Sequence, residues 1–264
     1  MSFLHTIQPL YVLSGLVVGI LVGMTGVAGG SLMTPILILA FGVHPVTAVG
    51  TDLLYASVTK TSGTLVHSYN RTVDWRVAGW LAVGSVPMTA LTIWMLYALD
   101  VRGDATHVLV TKVLGVALFL TALSLIFRKS IMQIYERRVG LLDQKLVRNL
   151  TIAMGALLGL LVTVSSVGAG AIGVTVLMLL YPSMPTARIV GSNIAHAVPL
   201  TLLAGMGHWL IGSIDFPILG SLLIGSIPGT IAGSFLAPRV PDPALRFTLA
   251  VLLLLVCARF WLWK

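Results

Sequence analysis

Apolar residues fall into ten segments, with a basic stretch at residues 128–149 between the fifth and the sixth. A helix that crosses about 30 Å of hydrocarbon needs about 20 residues, and most of the segments approach that length. Their approximate bounds are 10–25, 31–43, 46–69, 75–99, 106–127, 150–166, 170–183, 185–210, 216–237 and 243–263. The pattern predicts an all-α polytopic integral membrane protein.

Two of the segments, 31–43 and 170–183, are too short to span the hydrocarbon comfortably. Each follows a break rich in glycine and serine, at residues 26–31 and 165–170. The backbone N–H and C=O groups of such a break would lack partners in lipid, so the break has to be buried in protein or line a wet cavity. The sequence leaves open whether the two short segments span the membrane or re-enter it.

The composition agrees with a membrane protein. Of the 264 residues, 57% are hydrophobic and 9% are charged, and the mean hydropathy is +1.02. An ordinary soluble domain is about 45–50% apolar and about 25% charged, so a soluble globular enzyme and a disordered chain are both excluded. The single cysteine, Cys257, excludes a disulfide scaffold. The formal net charge is +8, and basic residues cluster at 128–149. Such a cluster is typical of a membrane topology signal.

The two halves of the sequence resemble each other. Gly15 aligns with Gly155 near their starts, and the second half then contains one extra residue. Beyond that residue, a single register pairs His67 with His208, Asp74 with Asp215 and Pro87 with Pro228, and we call this register the repeat alignment. Glycines alone could align by chance in so glycine-rich a chain, but the His, Asp and Pro matches in one register indicate a duplicated unit.

The duplication predicts two inverted-topology repeats. Each half has an odd number of crossings, whether it holds five spans or a Gly-rich broken or re-entrant helix pair followed by three spans. The halves therefore have opposite orientations. We predict a first transmembrane repeat at 1–127, a basic cytoplasmic amphipathic linker at 128–149 and a second transmembrane repeat at 150–264.

Basic residues indicate the orientation. Loop 70–76 carries Arg71 and Arg76, whereas its counterpart at 211–217 carries no Lys or Arg. Because basic loops stay in the cytoplasm, we expect the central loop inside and both termini in the periplasm, in a bacterial inner (cell) membrane. Residues 131–148 are expected to form an interfacial amphipathic helix.

The paired breaks are the most informative feature for function. A helix that begins just after a break directs free N–H groups and the positive end of its dipole into it, which favours an anion. The alternative is that the glycines serve helix packing, as the GxxxG spacing of Gly15, Gly19 and Gly23 indicates for the flanking helices. The candidate substrate-binding residues are Thr25, Gly29, Gly30, Ser31, Thr51, Asp52, Ser165, Ser166, Gly168, Gly170, Ser192 and Asn193.

Segment 46–69 carries the ionisable residues Asp52, Lys60 and His67. Such residues within a membrane usually face the protein interior or water, so these three and His208 are candidates for proton coupling or for the substrate pathway. Asp52 and Lys60 are about 12 Å apart along the helix, too far for a direct ion pair.

Structural roles remain open for all four residues. Asp52 could cap a helix, Lys60 could snorkel or form an interior structural pair, and the two histidines could lie at interfacial helix ends. Asp74 and Asp215 are expected to cap the helices that follow them.

The sequence contains no convincing enzyme motif. Residues 168–173 match GxGxxG, but they lie in membrane segments without a flanking βαβ unit. No GxSxG, GxxxxGK[ST] or clustered Cys/His spacing occurs. We expect no catalytic residue, no metal and no cofactor. The expected partners are a small anionic substrate, protons as a second candidate and the lipid bilayer, with no nucleic acid; the sequence does not give the oligomeric state.

Four stretches together resemble a known family. They are the glycine-rich break after the first segment, AVGTDLLYA at 48–56, VDW at 73–75 and IVGSNIAHA at 189–197. They are similar to the sulfite exporter TauE/SafE family over nearly the whole chain. The resemblance implies a bacterial inner-membrane protein that moves sulfite, sulfonates or other organic anions. Asp52 departs from the neutral residue often found at its position in that family.

The leading hypothesis is a secondary transporter, and by resemblance an exporter, of a small anion such as sulfite or an organosulfonate. Alternating access would occur around a midplane site between the two breaks. The alternatives are a proton-coupled carrier of another organic acid and a membrane sensor that binds its ligand without moving it.

Overall fold

A computed structural model describes residues 8–25, 29–99, 103–138, 143–236 and 242–262, which form ten α-helices and no strand. The helices are α1 Pro9–Thr25, α2 Gly29–Leu39, α3 Pro45–Tyr69, α4 Trp75–Ala98, α5 Asp104–Arg138, α6 Gln144–Ser165, α7 Ala171–Leu180, α8 Thr186–Leu210, α9 Phe216–Leu236 and α10 Asp242–Leu262. Each one coincides with a predicted apolar segment, so the all-α prediction is confirmed.

The helices differ in their ability to cross a membrane. Five of those described, α4, α5, α6, α8 and α9, hold stretches that are long and apolar enough to do so. The protein is therefore a multi-pass membrane protein. Helices α2 and α7 have only 11 and 10 residues, which is roughly 15 Å of helix or half of the hydrocarbon thickness.

One sequence-based expectation is wrong, and one alternative left open by the sequence is excluded. Helix α5 continues to Arg138 and α6 begins at Gln144, so residues 131–148 do not form a separate interfacial helix. No glycine or proline lies between residues 116 and 138 to end α5 earlier. Asp52 does not cap a helix, because α3 begins at Pro45, and proline at the first helical position fixes the start there.

The predicted caps of α4 and α9 are confirmed. One oxygen of Asp74 accepts hydrogen bonds from the backbone N–H groups of Arg76 and Val77, at 3.1 and 3.3 Å. Asp215 accepts one from the N–H of Ile218 at 2.9 Å. Each aspartate thereby satisfies N–H groups that have no partner within the first turn of a helix.

Glycines allow two pairs of helices to pack in close contact. A Cβ at Gly15 of α1 would collide with the carbonyl oxygen of Leu222 in α9, and a Cβ at Gly155 of α6 would collide with that of Leu81 in α4. The repeat alignment pairs Leu81 with Leu222, so the contact between α1 and α9 has a counterpart between α4 and α6. The packing role of these flanking glycines is confirmed.

Helices α3 and α8 are antiparallel neighbours. Gly50, near the start of α3, lies against His208 near the end of α8. Gly191, near the start of α8, lies against Thr72 just beyond the end of α3. Here too, the repeat alignment relates the two contacts, because it pairs Gly50 with Gly191.

Two helical hairpins, α1–α2 and α6–α7, accompany this central pair. The ring of Tyr11 at the start of α1 lies 4.3 Å, between centroids, from the ring of Phe41 just after α2. The hydroxyls of Thr151, early in α6, and Tyr181, directly after α7, are 2.8 Å apart. In each half, the chain therefore returns to the end of the molecule from which the hairpin started.

We predict that Gly15→Ala and Gly155→Ala both lower the thermal stability of the purified protein in detergent. Each new methyl group would collide with backbone, and overpacking of this kind costs about 1–3 kcal/mol. The matched controls are Gly79→Ala and Gly220→Ala, where a Cβ would meet no atom within 4 Å. The controls should unfold at or slightly above the wild-type temperature because alanine favours helix. Equal stability of all four variants would contradict the packing role.

Candidate functional site

The break between α6 and α7 lies beside the central helices. Helix α6 ends at Ser165, Ser166 takes the left-handed conformation at φ 59°, and Gly168 has φ 113°. The φ of Gly168 is one that side-chain-bearing residues rarely adopt. This residue pair turns the chain so that α7 can begin at Ala171.

Asn193 of α8 connects the break to the α3–α8 pair through a hydrogen bond. Its side-chain N–H donates a hydrogen bond of 2.6 Å to the carbonyl oxygen of Ala169. Gly173 makes this approach possible, since a Cβ there would collide with the side-chain oxygen of Asn193. That oxygen is buried and has no hydrogen-bond partner.

Asp52, which the repeat alignment pairs with Asn193, is fully buried in α3. One of its carboxylate oxygens accepts a hydrogen bond of 2.5 Å from the hydroxyl of Thr34 in α2. The other oxygen is buried without a partner. The buried hydroxyl of Ser166 lies close to this carboxylate and also lacks a hydrogen-bond partner of ordinary geometry.

One turn further along, Tyr55 of α3 and His196 of α8 form a second pair of residues in the repeat alignment. Each of them lies close to a serine of another helix. The Nε2 atom of His196 in α8 is 2.8 Å from the hydroxyl of Ser85 in α4. Its equivalent Tyr55 in α3 lies close to Ser226 of α9, the equivalent of Ser85. Nδ1 of His196 and the hydroxyls of Tyr55 and Ser226 are buried without a hydrogen bond of ordinary geometry.

Lys60 brings a positive charge to this region. It is partly buried, and its charge acts on both the Asp52 carboxylate and the His196 ring. No direct ion pair joins Lys60 to Asp52 among the described residues, as their spacing predicted. The position equivalent to Lys60 is Thr201, whose hydroxyl bonds to the carbonyl of Ala197 in its own helix. In these two aligned pairs, Asp52 with Asn193 and Lys60 with Thr201, both ionisable side chains therefore belong to the first half.

Three candidate residues use their hydroxyls to hold the fold. Thr51 accepts a hydrogen bond of 3.1 Å from the N–H of Asp215, and Ser192 accepts one of 2.7 Å from the N–H of Asp74. Ser165 donates to the carbonyl of Leu161 at 2.6 Å. The structure brings together Asp52, Ser166 and the break, and directs the hydroxyls of Thr51 and Ser192 elsewhere. The hydroxyl of Ser165 also accepts a hydrogen bond of 3.2 Å from the N–H of Val167, so it holds the turn of the break itself.

The two aligned histidines, His208 and His67, contact residues other than Asp52. His208 is fully buried, with Nδ1 3.1 Å from the hydroxyl of Ser213 and Nε2 2.9 Å from the carbonyl of Thr163. Nδ1 of the partly buried His67 is 2.8 Å from the hydroxyl of Thr72. Neither histidine has a described contact with Asp52.

The first break is described in part. Residues 26–28, the side chain of Thr25 and the surroundings of Gly29 and Gly30 lie outside the described part of the chain. Ser31 is buried early in α2.

Sequence reasoning missed Thr34, Ser85, His196 and Ser226 as site residues. Their contacts join residues from 18 (Thr34 and Asp52) to 171 (Tyr55 and Ser226) positions apart, which helical periodicity does not reveal. The repeat alignment could have identified His196, because it pairs this histidine with Tyr55 on the polar face of α3.

This set of groups can bind a small polar or charged solute. The first N–H groups of α7 precede its internal hydrogen-bond ladder and are directed into the break, and Ser166 and Asn193 add side-chain polar atoms. Lys60 supplies a nearby positive charge. Among the described residues, no group of three or more His, Cys, Asp or Glu side chains could hold a metal ion.

Comparison with known proteins identifies the family. The sulfite exporter TauE/SafE family matches residues 11–260. The chain is 37% identical over 244 residues to the probable membrane transporter protein YjnA of Bacillus subtilis (strain 168), across 92% of this chain and 95% of that protein. It is 25% identical to the probable membrane transporter protein YdhB of the same organism, across 80% and 82% of the two chains. No solved structure matches the chain. The resemblance found in the sequence is confirmed, and the chain belongs to the sulfite exporter TauE/SafE family of membrane transporters.

Proposed function

We propose that the protein is a secondary transporter that exports a small anion, such as sulfite or an organosulfonate, across the bacterial cell membrane. The anion binds near the midplane, at the break between α6 and α7 and beside the α3–α8 pair. The observation that carries the proposal is that the hydroxyl of Ser166 is buried without a partner at this break, beside the N-terminus of α7.

The chemistry of the break favours an anion. An anion that leaves water needs replacement donors, because an unpaired charge is very costly in a low dielectric. The N-terminus of α7 provides N–H groups and the positive end of a helix dipole. The hydroxyl of Ser166 and the charge of Lys60 add a donor and electrostatic attraction. Donors of the dipole type also release an anion more readily than a direct contact with a fixed cation does.

An inverted repeat accounts for the paired contacts. The α1–α2 hairpin starts at the end of the molecule where α9 starts, since the N–H of Gln8 lies 3.4 Å from the hydroxyl of Ser221. The α6–α7 hairpin starts at the opposite end, where α4 starts, because a Cβ at Gly84 would collide with the carbonyl of Ile152. We infer that the two hairpins re-enter the membrane from opposite faces, with their breaks near the midplane.

Alternating access requires the two ends of the molecule to open in turn. The N–H of Asp74 and the hydroxyl of Ser192 hold α4 to α8 at one end, and an ion pair of 3.2 Å between Arg188 and Asp74 reinforces this contact. At the other end the N–H of Asp215 and the hydroxyl of Thr51 hold α9 to α3. We propose that these contacts break alternately around the bound anion.

The basic residues support a cytoplasmic central loop. The exposed residues Arg71, Arg76, Lys145, Arg148 and Arg188 gather at the end of the molecule where α4, α6 and α8 start. By the positive-inside rule this end faces the cytoplasm, which would leave both termini outside.

The orientation can be tested by labelling single cysteines in a Cys257→Ala background. We predict that a membrane-impermeant maleimide labels Leu99→Cys in intact cells and labels Arg148→Cys only after the membrane is permeabilised. Both side chains are exposed in the structure, so a difference would report the side of the membrane. Labelling of Arg148→Cys in intact cells would contradict the proposed topology.

The proposed site can be tested with paired serine variants. In proteoliposomes, wild-type protein should move sulfite or methanesulfonate, and Ser166→Ala should bind the transported anion more weakly by roughly 0.5–1.5 kcal/mol, the usual contribution of one hydrogen bond. Ser221→Ala is the matched control, since its buried hydroxyl bonds to the carbonyl of Pro217 in its own helix, α9.

The results test both the position of the anion site and the choice between a transporter and a sensor. Wild-type affinity in Ser166→Ala would place the anion elsewhere. Anion binding without any flux would favour a sensor over a transporter.

A further inference from the structure

We propose that Asp52 binds one proton together with each transported anion. This inference rests on the proposed function and adds the coupling ion to it. The oxygen that takes the proton is the one without a hydrogen-bond partner, while the other oxygen keeps its bond to Thr34.

The first argument is the position of the carboxylate. Asp52 is fully buried and lies close to the Ser166 hydroxyl, at the break where the anion is proposed to bind. A carboxylate and an anion would repel each other strongly here, because a low dielectric barely screens like charges. A proton on Asp52 removes the repulsion and converts the oxygen into a donor.

The second argument is the asymmetry between the two halves. The position equivalent to Asp52 holds Asn193, a neutral side chain of nearly the same shape that already satisfies the backbone of the break. A carboxyl group is therefore not needed to build this fold at the equivalent position. The acid in the first half adds a charge that can be gained and lost.

The third argument is the charge of Lys60. When Asp52 is ionised, its charge balances that of Lys60, on which it acts. When Asp52 is protonated, the charge of Lys60 remains to attract the anion. The same site is therefore neutral both in the empty state and in the state with one proton and one monovalent anion bound.

The other titratable groups near Asp52 are less suited to carry this proton. Tyr55 and Lys60 share its helix, and α8, which packs against α3, carries His196 and His208. Both ring nitrogens of His208 lie within hydrogen-bond distance of Ser213 and Thr163, and Nε2 of His196 lies beside Ser85. The described side chains that approach Asp52 from α2 and from the break, Thr34 and Ser166, do not titrate.

Binding of one proton per anion makes transport of a monovalent anion electroneutral. The direction then follows the combined gradients of the proton and the anion. Export takes place when the outward gradient of the anion exceeds the inward gradient of the proton.

Infrared spectroscopy tests the proton site without any anion. As the pH is lowered, the wild-type protein should gain the carbonyl band of a buried protonated carboxyl group. Asp52→Asn should lack this band, whereas the matched control Asp143→Asn should retain it, because Asp143 is exposed and makes no side-chain cap hydrogen bond. Identical pH-difference spectra for wild type and Asp52→Asn would overturn the proposal.

Anion binding tests the coupling. Methanesulfonate is a suitable probe because its own charge does not change with pH. Above the pH at which Asp52 titrates, the wild-type affinity should fall by about tenfold per pH unit, as expected when one proton binds with the anion. Asp52→Asn should bind the sulfonate with an affinity independent of pH, and its transport should no longer acidify the lumen of proteoliposomes.

A lysine pair tests the role of the positive charge. Lys60→Met should weaken methanesulfonate binding at every pH and Lys60→Arg should restore part of it. Lys112→Met should bind like wild type, since Lys112 is exposed near the start of α5.

The outcomes distinguish the coupling from the function. Sulfonate flux that carries no protons and has the same pH dependence in wild type and Asp52→Asn would overturn the coupling and leave the anion transporter intact. A protonated carboxyl band without binding or flux of any tested anion would overturn the proposed function.

Discussion

Polar groups buried away from water need partners, and the architecture of this protein depends on that requirement. Within α3 and α8 several hydroxyls meet it locally, as Thr59 and Thr201 do by bonding to carbonyls of the preceding turn. The α6–α7 break meets it through Asn193, which takes up the carbonyl of Ala169. Three side chains at this break, Asp52, Ser166 and Asn193, keep a buried polar atom without a partner. Of these atoms, the hydroxyl of Ser166 is the donor that a bound anion would satisfy.

Matching contacts in the two halves explain how such a break can be held in place. Helix α1 meets α9 and α4 meets α6, each across glycines that allow backbones to touch. Each hairpin is thereby fixed against a long helix from the other half. The shared framework leaves the interior free to differ, and the differences are Asp52 against Asn193, Tyr55 against His196 and Lys60 against Thr201. We infer that the symmetric parts allow the motion and that the asymmetric parts determine what is carried.

Much of this could be predicted from the sequence, because hydrophobic segment length, glycine breaks and caps are local signals. The ten helices and the caps at Asp74 and Asp215 were predictable for that reason. The end of α5 was not, since its basic residues suggested a separate surface helix although no residue there breaks a helix. The roles of Thr51 and Ser192 were hidden as well, because their partners lie 164 and 118 residues away. The contact of His196 with Ser85 was hidden for the same reason, although the repeat alignment pairs His196 itself with Tyr55.

The most direct test of the anion site is an experimental structure determined with methanesulfonate at acidic pH. We predict density for the sulfonate within about 2.7–3.2 Å of the Ser166 hydroxyl and of the first N–H groups of α7, the usual range of a hydrogen bond. The Asp52 carboxyl group should lie next to it. Sulfonate density confined to a position away from the break, with Ser166 still lacking a partner, would contradict the proposed site.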